Sequence, residues 1–139
     1  MMWEGAMRTV RSLTLACVAI ASVAVAAAAQ NRYSGSSDFQ AYCASCHGTE
    51  AKGDGIIAKS LPKRPPDLTR LAKRNNDLFP GDKVFMLIDG RSPGSSHGGA
   101  DMPAWGDVFA KSTESAGPEA TAARIKSLTL YLETIQEKR

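Results

Sequence analysis

The sequence is poor in the residues that build metal clusters and nucleic-acid sites. Its 139 residues include only two histidines and three cysteines, and Cys17 lies inside an N-terminal apolar run. A structural zinc or iron–sulfur site needs about four ligands, so too few remain. The formal net charge of +3 comes without a concentrated basic face, which argues against a nucleic-acid partner. No βαβ pattern surrounds the Cys-x-x-Cys segment at residues 43–46, which argues against a thioredoxin-like redox site.

The N-terminus has the pattern of a secretory signal peptide. A short basic start precedes a run of small apolar residues, and this run ends in Ala27-Ala28-Ala29 before Gln30, which fits an A-x-A cleavage site. The alternative is an uncleaved anchor, but a bilayer span needs about 20 strongly apolar residues and this run is mostly alanine. We therefore predict a cleaved signal peptide over 1–29, a periplasmic domain over 30–139, and no permanent membrane span after cleavage.

The segment that carries chemistry is Cys43-Ala44-Ser45-Cys46-His47. Two thiols two residues apart, followed directly by histidine, form the attachment signature of c-type haem. On one helical turn, both sulfurs can add to haem vinyl groups, and the imidazole then faces the iron. We predict one covalent haem c per chain, with thioethers to Cys43 and Cys46 and with His47 as the proximal axial ligand. A domain of this length has a small core, so the apoprotein is expected to be poorly folded.

The periodicity of the remaining chain is helical, and glycine and proline mark the loops. We expect a first helix through Asp38 to Tyr42, capped by Ser36 or Ser37, with Phe39 pointing into the core. Three further helices are expected over residues 67–74, Lys83 to Asp89 and Pro118 to Ile135, and the second of these is closed by Gly90. The prediction is an all-α domain.

The second axial ligand decides the redox character of such a haem. Met102 is the leading candidate, because it follows the glycine-rich loop 91–101 and Pro103 fixes the backbone after it. Met86 lies in an apolar helix, where packing in the core is the expected role. His97 is the competitor, since it lies in the same loop and imidazole binds iron readily. A thioether ligand raises the potential, whereas a second imidazole would lower it.

Together these segments resemble class I (monohaem) cytochrome c of bacterial periplasms. The similarity rests on Gly35-x-x-x-Phe39-x-x-x-Cys43, Leu128-x-x-Tyr131-Leu132, Pro65-Pro66-Asp67-Leu68 and Met102-Pro103-Ala104-Trp105-Gly106. The resemblance implies a cytochrome c fold, with three to five short helices around the haem and a close crossing of the terminal helices at Gly35. It also implies that Pro65 or Pro66 accepts the ring N–H of His47, and that Arg91 and Trp105 neighbour the haem propionates.

The resemblance implies electron transfer rather than catalysis, because two axial ligands leave the iron no open site. We expect a monomeric one-electron carrier between a quinol-oxidising complex or dehydrogenase and a terminal oxidase or reductase. One alternative is a dedicated haem c subunit of a periplasmic oxidoreductase. Another is a haem-based sensor or ligand-binding protein, which would need a replaceable Met102.

Overall fold

All regular structure that is described in the chain is helical. The computed structural model describes residues 34–91, 102–112 and 117–138. The leader with Cys17 and the loop segment with His97 lie outside these residues. The described part contains no β-strand, which confirms the all-α prediction. Its five α-helices are α1 (Gly35–Asp38), α2 (Ala44–His47), α3 (Gly81–Asp89), α4 (Trp105–Ala110) and α5 (Pro118–Thr134).

The first helical segment begins at Gly35, before the predicted start at Asp38, and contains a π-helical turn. Ser34, not Ser36 or Ser37, is the cap, because its hydroxyl accepts a hydrogen bond from the Ser37 N–H at 3.4 Å. Between α1 and α2, Phe39–Cys43 forms a π-helical turn, in which the Ala44 N–H bonds the Phe39 carbonyl. Such wide turns are often found at functional sites. Phe39 is only 1 % exposed, as predicted.

The helix predicted over residues 67–74 is wrong. Two short 3₁₀ turns, Leu68–Arg70 and Lys73–Asn75, occupy this segment, and another lies at Ala58–Ser60. Asp67 caps the first turn, since its carboxylate accepts hydrogen bonds from the N–H and hydroxyl of Thr69 at 2.9 and 2.6 Å. The residue after the second turn, Asn76, has a left-handed φ of 55°. Only three apolar positions support the segment, too few to offset the cost of nucleating a helix.

The other two predicted helices are present, and each differs from its predicted range by one or two residues at one end. Helix α3 begins two residues earlier than predicted and stops at Asp89, because Gly90 takes the left-handed conformation, with φ 68°. Helix α5 begins at Pro118, as expected for proline in a first turn, and ends at Thr134.

Helix α5 is the element on which the others pack. Helices α1, α3 and α4 all contact it, and its Ile125, Leu128 and Leu132 are at most 4 % exposed. Helix α1 comes so close that a Cβ on Gly35 would overlap the Ser127 carbonyl and Tyr131. This agrees with the expected close crossing of the first and last helices.

The chain just after α5 is tied to the segment that holds the 3₁₀ turns. The Gln136 side chain accepts a hydrogen bond from the Ala72 N–H at 2.9 Å and donates to the carbonyls of Leu68 and Leu132 at 2.8 and 2.6 Å. None of the helices in the described ranges has the length and apolar character required to cross a bilayer.

Candidate functional site

Segments that are distant in sequence meet around one cavity of about 280 Å³. The first helical segment, the proline-rich loop and the residues that precede and begin α4 each form part of its wall. The described residues that line it are Tyr42, Cys43, Cys46, His47, Lys63, Arg64, Pro65, Pro66, Met102, Pro103 and Trp105. The fold therefore brings both predicted thioether cysteines and both predicted axial ligands to the same cavity.

The Cys43 thiol differs from the reactive thiol of a redox-active cysteine pair. Burial, reinforced by the negative charges of Asp38 and Cys46, raises the pKa of the Cys43 thiol to about 12. Redox-active Cys-x-x-Cys motifs lower a thiol pKa so that the reactive thiolate forms near neutral pH. Cys43 has the opposite environment, which supports attachment rather than disulfide exchange.

His47 is held by the loop that follows it. Its ring is buried, and Nδ1 lies 3.4 Å from the Pro66 carbonyl. A carbonyl can only accept, so this contact places the proton on Nδ1 and the lone pair of the neutral ring on Nε2, the nitrogen that suits a metal. Of the two candidate prolines, the contact involves Pro66 and not Pro65.

Two glycines let the loop pass close to the attachment helix. The Gly53 N–H donates to the His47 carbonyl at 2.7 Å, and the Gly55 N–H donates to the Cys46 carbonyl at 3.1 Å. Gly53 has a φ of 75°, and a Cβ there would overlap the Pro65 carbonyl. A side chain at Gly53 would push the proline segment away from His47, and one at Gly55 would overlap the backbone of Ser45 and Cys46.

The remaining candidates from the sequence fall in different places. Met102 and Trp105 line the cavity, whereas Met86 is 50 % exposed on α3 and neither lines it nor fills the core, contrary to the expected packing role. Arg91 does not line it either. Arg91 forms an ion pair with Asp89 at 2.7 Å. Both side chains of this pair pack against the backbone of Gly106, near the start of α4. His97 lies outside the described residues.

Behind the cavity wall is a buried charged pair that the sequence analysis missed. Arg124 of α5 is 2 % exposed and donates two hydrogen bonds to the Asp38 carboxylate, at 2.9 and 2.7 Å. Hydrogen bonding to Asp38 keeps the pKa of Arg124 above its usual value, against the effect of burial. One signal was available, because Arg124 precedes Leu128 by four residues and so shares its buried face.

The guanidinium of Arg124 also joins this pair to the cavity through aromatic rings. Its central carbon lies 4.4 Å from the centre of the Phe109 ring and 5.0 Å from that of Tyr42. Tyr42 packs edge-on against Trp105 with ring centres 5.6 Å apart, and both rings line the cavity. The orientation of the cavity wall therefore depends on a residue of α5 that does not itself touch the cavity.

The residues of the cavity fit a haem held by two thioethers. Two thiols and an imidazole lie on consecutive turns of one helical segment, a thioether sulfur belongs to the cavity wall, and prolines and aromatic rings supply apolar surface. No group of three or more His, Cys, Asp or Glu side chains suited to a metal ion occurs among the described residues, which leaves no competing ligand cluster there.

A protein-family model matches more than half of the chain. The family model described as cytochrome c oxidase, cbb3-type, subunit III matches residues 30–116, which include the attachment motif and the Met102 segment but not α5. Comparisons with curated proteins and with solved structures found no match.

Proposed function

The chain belongs to the family of cbb3-type cytochrome c oxidase subunit III, a c-type cytochrome family with covalently attached haem c, and on that premise we propose that it is a one-electron carrier. The haem iron supplies a single reversible ferric–ferrous step. The protein contributes two thioether attachments, at Cys43 and Cys46, and two axial ligands, His47 and Met102. The observation that carries this proposal is that all four side chains line one cavity.

The protein's own residues favour electron transfer over ligand binding. The Pro66 carbonyl orients the His47 ring, and Pro103 restricts the backbone of Met102, which precedes it. A thioether ligand opposite histidine raises the reduction potential. With both axial positions occupied, no site is left open for oxygen or peroxide.

Absorption spectra of the holoprotein test the ligand assignment. We would compare oxidised and reduced parent protein with Met102→Ala and with Met86→Ala, the matched control, since Met86 is half exposed and does not line the cavity. The expected result is that the parent and Met86→Ala show the weak red charge-transfer band of sulfur-ligated ferric haem and that Met102→Ala lacks it. If the parent and Met102→Ala have the same low-spin spectrum without this band, Met102 is not the ligand and His97 takes its place.

A second candidate is supported by the description of the family, which names an oxidase subunit. In this role the protein would remain bound to an oxidoreductase complex instead of moving between a quinol-oxidising complex or dehydrogenase and an oxidase or reductase. Size-exclusion chromatography of native extracts separates the two roles. A free carrier elutes as a monomer, whereas a subunit elutes with its complex and is released only by detergent or high salt.

The periplasmic location is part of the proposal. The pattern of residues 1–29 supports export and cleavage before Gln30. Mass spectrometry of holoprotein from a periplasmic fraction should find Gln30 at the N-terminus. Holoprotein found only in the membrane fraction with the leader intact would contradict cleavage.

A further inference from the structure

The wall of the cavity carries two positively charged side chains that no predicted role has used. Among the described residues that line it, Lys63 and Arg64 are the two with permanent charge, and none is acidic. The titratable side chains that share the wall are Tyr42, Cys43, Cys46 and His47. The described part of the cavity wall therefore carries net positive charge.

The haem of c-type cytochromes carries two carboxylates, and these need compensation. A carboxylate next to apolar walls loses hydration, which is costly unless a cation or hydrogen-bond donors face it. The resemblance of the sequence to class I cytochromes suggested Arg91 for this role, but Arg91 is held by Asp89 through contacts at 2.8 and 2.7 Å and lies off the cavity wall. The cations of the wall come from the proline-rich loop instead.

Arg64 is fixed in position by the backbone near the proximal histidine. Its Nε donates to the Gly53 carbonyl at 3.3 Å, and the N–H of the same Gly53 donates to the His47 carbonyl at 2.7 Å. The stem of Arg64 is thus linked through one residue to the segment that carries His47. Arginine held in this way can present a rigid fork to a carboxylate, whereas Lys63 adds a mobile point charge.

We propose that Lys63 and Arg64 are the cations that bind the haem carboxylates, in place of Arg91. The premise is the haem c of the family, not the carrier role. A failure of this assignment would leave the evidence for electron transfer untouched, since that evidence depends on the axial ligands.

The dependence of the reduction potential on pH tests the proposal. Loss of a proton from a haem carboxylate adds negative charge near the iron, favours the ferric state and lowers the potential. A facing cation holds the carboxylate pKa down, so in the parent protein this step lies at acid pH. The Arg64→Gln variant lacks this cation, so the pH at which the carboxylate loses its proton and the potential falls should rise by about 1 unit or more. Lys63→Gln should move it in the same direction and provides a second test if Arg64→Gln folds poorly.

Matched variants separate contact from general charge. Lys59→Gln removes an exposed cation of the same loop that does not line the cavity, so it should offset the potential at every pH without displacing the step. Arg64→Lys keeps the charge and should restore a step close to that of the parent. The proposal is overturned if Lys59→Gln displaces the step as far as Arg64→Gln does, or if Arg91→Gln displaces it and neither Lys63→Gln nor Arg64→Gln does.

Discussion

The buried pair between Asp38 and Arg124 should be a major determinant of stability. Arg124 is 2 % exposed and Asp38 8 %, and two hydrogen bonds join them. Removing one partner leaves the other charge buried without compensation, which costs about 3–5 kcal/mol. A small domain is stable by about 5–15 kcal/mol in total. Arg124→Met, which keeps much of the side-chain volume, should therefore remove about a fifth of the stability or more.

The measurement is guanidinium unfolding of the holoprotein, followed by far-UV circular dichroism. The matched control is Lys52→Met, because Lys52 forms an ion pair with Glu50 at 2.6 Å, shorter than the 2.7 Å of the buried pair. The Lys52–Glu50 pair is on the surface, with side chains 55 % and 72 % exposed. If burial decides the energy, the control keeps the midpoint of the parent and Arg124→Met does not.

A double substitution separates the cost of an isolated charge from the value of the pair. Asp38→Leu together with Arg124→Met removes both charges, and apolar replacements of a buried pair are often neutral or stabilising. The double variant should therefore be more stable than either single variant. Our reasoning is refuted if Arg124→Met costs no more than about 1 kcal/mol, the value of an exposed pair, or if the two single losses simply add.

The remaining predictions concern close backbone contacts and one hydrogen-bonded side chain. Gly35→Ala and Gly106→Ala each introduce a Cβ that overlaps neighbouring atoms and should cost about 1–3 kcal/mol in guanidinium unfolding. Gly81→Ala is the control for both, because a Cβ at Gly81 meets nothing nearer than 3.8 Å. If Gly81→Ala lowers the stability as much as the other two substitutions, overlap of the added Cβ is not the cause. Gln136→Ala should cost about 1–3 kcal/mol, and hydrogen exchange of the Ala72 amide should accelerate. An unchanged exchange rate of the Ala72 amide would contradict a protecting hydrogen bond from this amide to Gln136.

Local signals account for what could be read from the sequence. The boundaries of α3 and α5 follow from Gly90 and Pro118, single residues whose backbone preferences mark a helix end and a helix start. The segment over residues 67–74 has a fitting apolar spacing and a capping residue, yet it forms two 3₁₀ turns. Periodicity over eight residues cannot show whether tertiary contacts will extend a single turn.

The positions of the charged side chains in and near the cavity could not be predicted from local sequence signals. Lys63 and Arg64 lie among other loop cations that look equally solvated in the sequence, and only the fold brings these two to the cavity. The partners Asp38 and Arg124 are 86 residues apart. Neither residue has a neighbour in sequence that indicates an ion pair, so helical phase alone marks Arg124 as buried.

The part of the domain beyond the family match completes the cofactor site. The matched residues end at 116, and α5 follows them. Yet α5 supplies the backbone against which Gly35 packs and the guanidinium that contacts the ring of Tyr42, a residue of the cavity wall. A chain cut after the matched residues would leave the Asp38 carboxylate without its cation and one face of the wall without support. The cavity therefore belongs to the whole helical domain, because the proposed haem ligands lie in the matched segment and α5 packs behind the cavity wall.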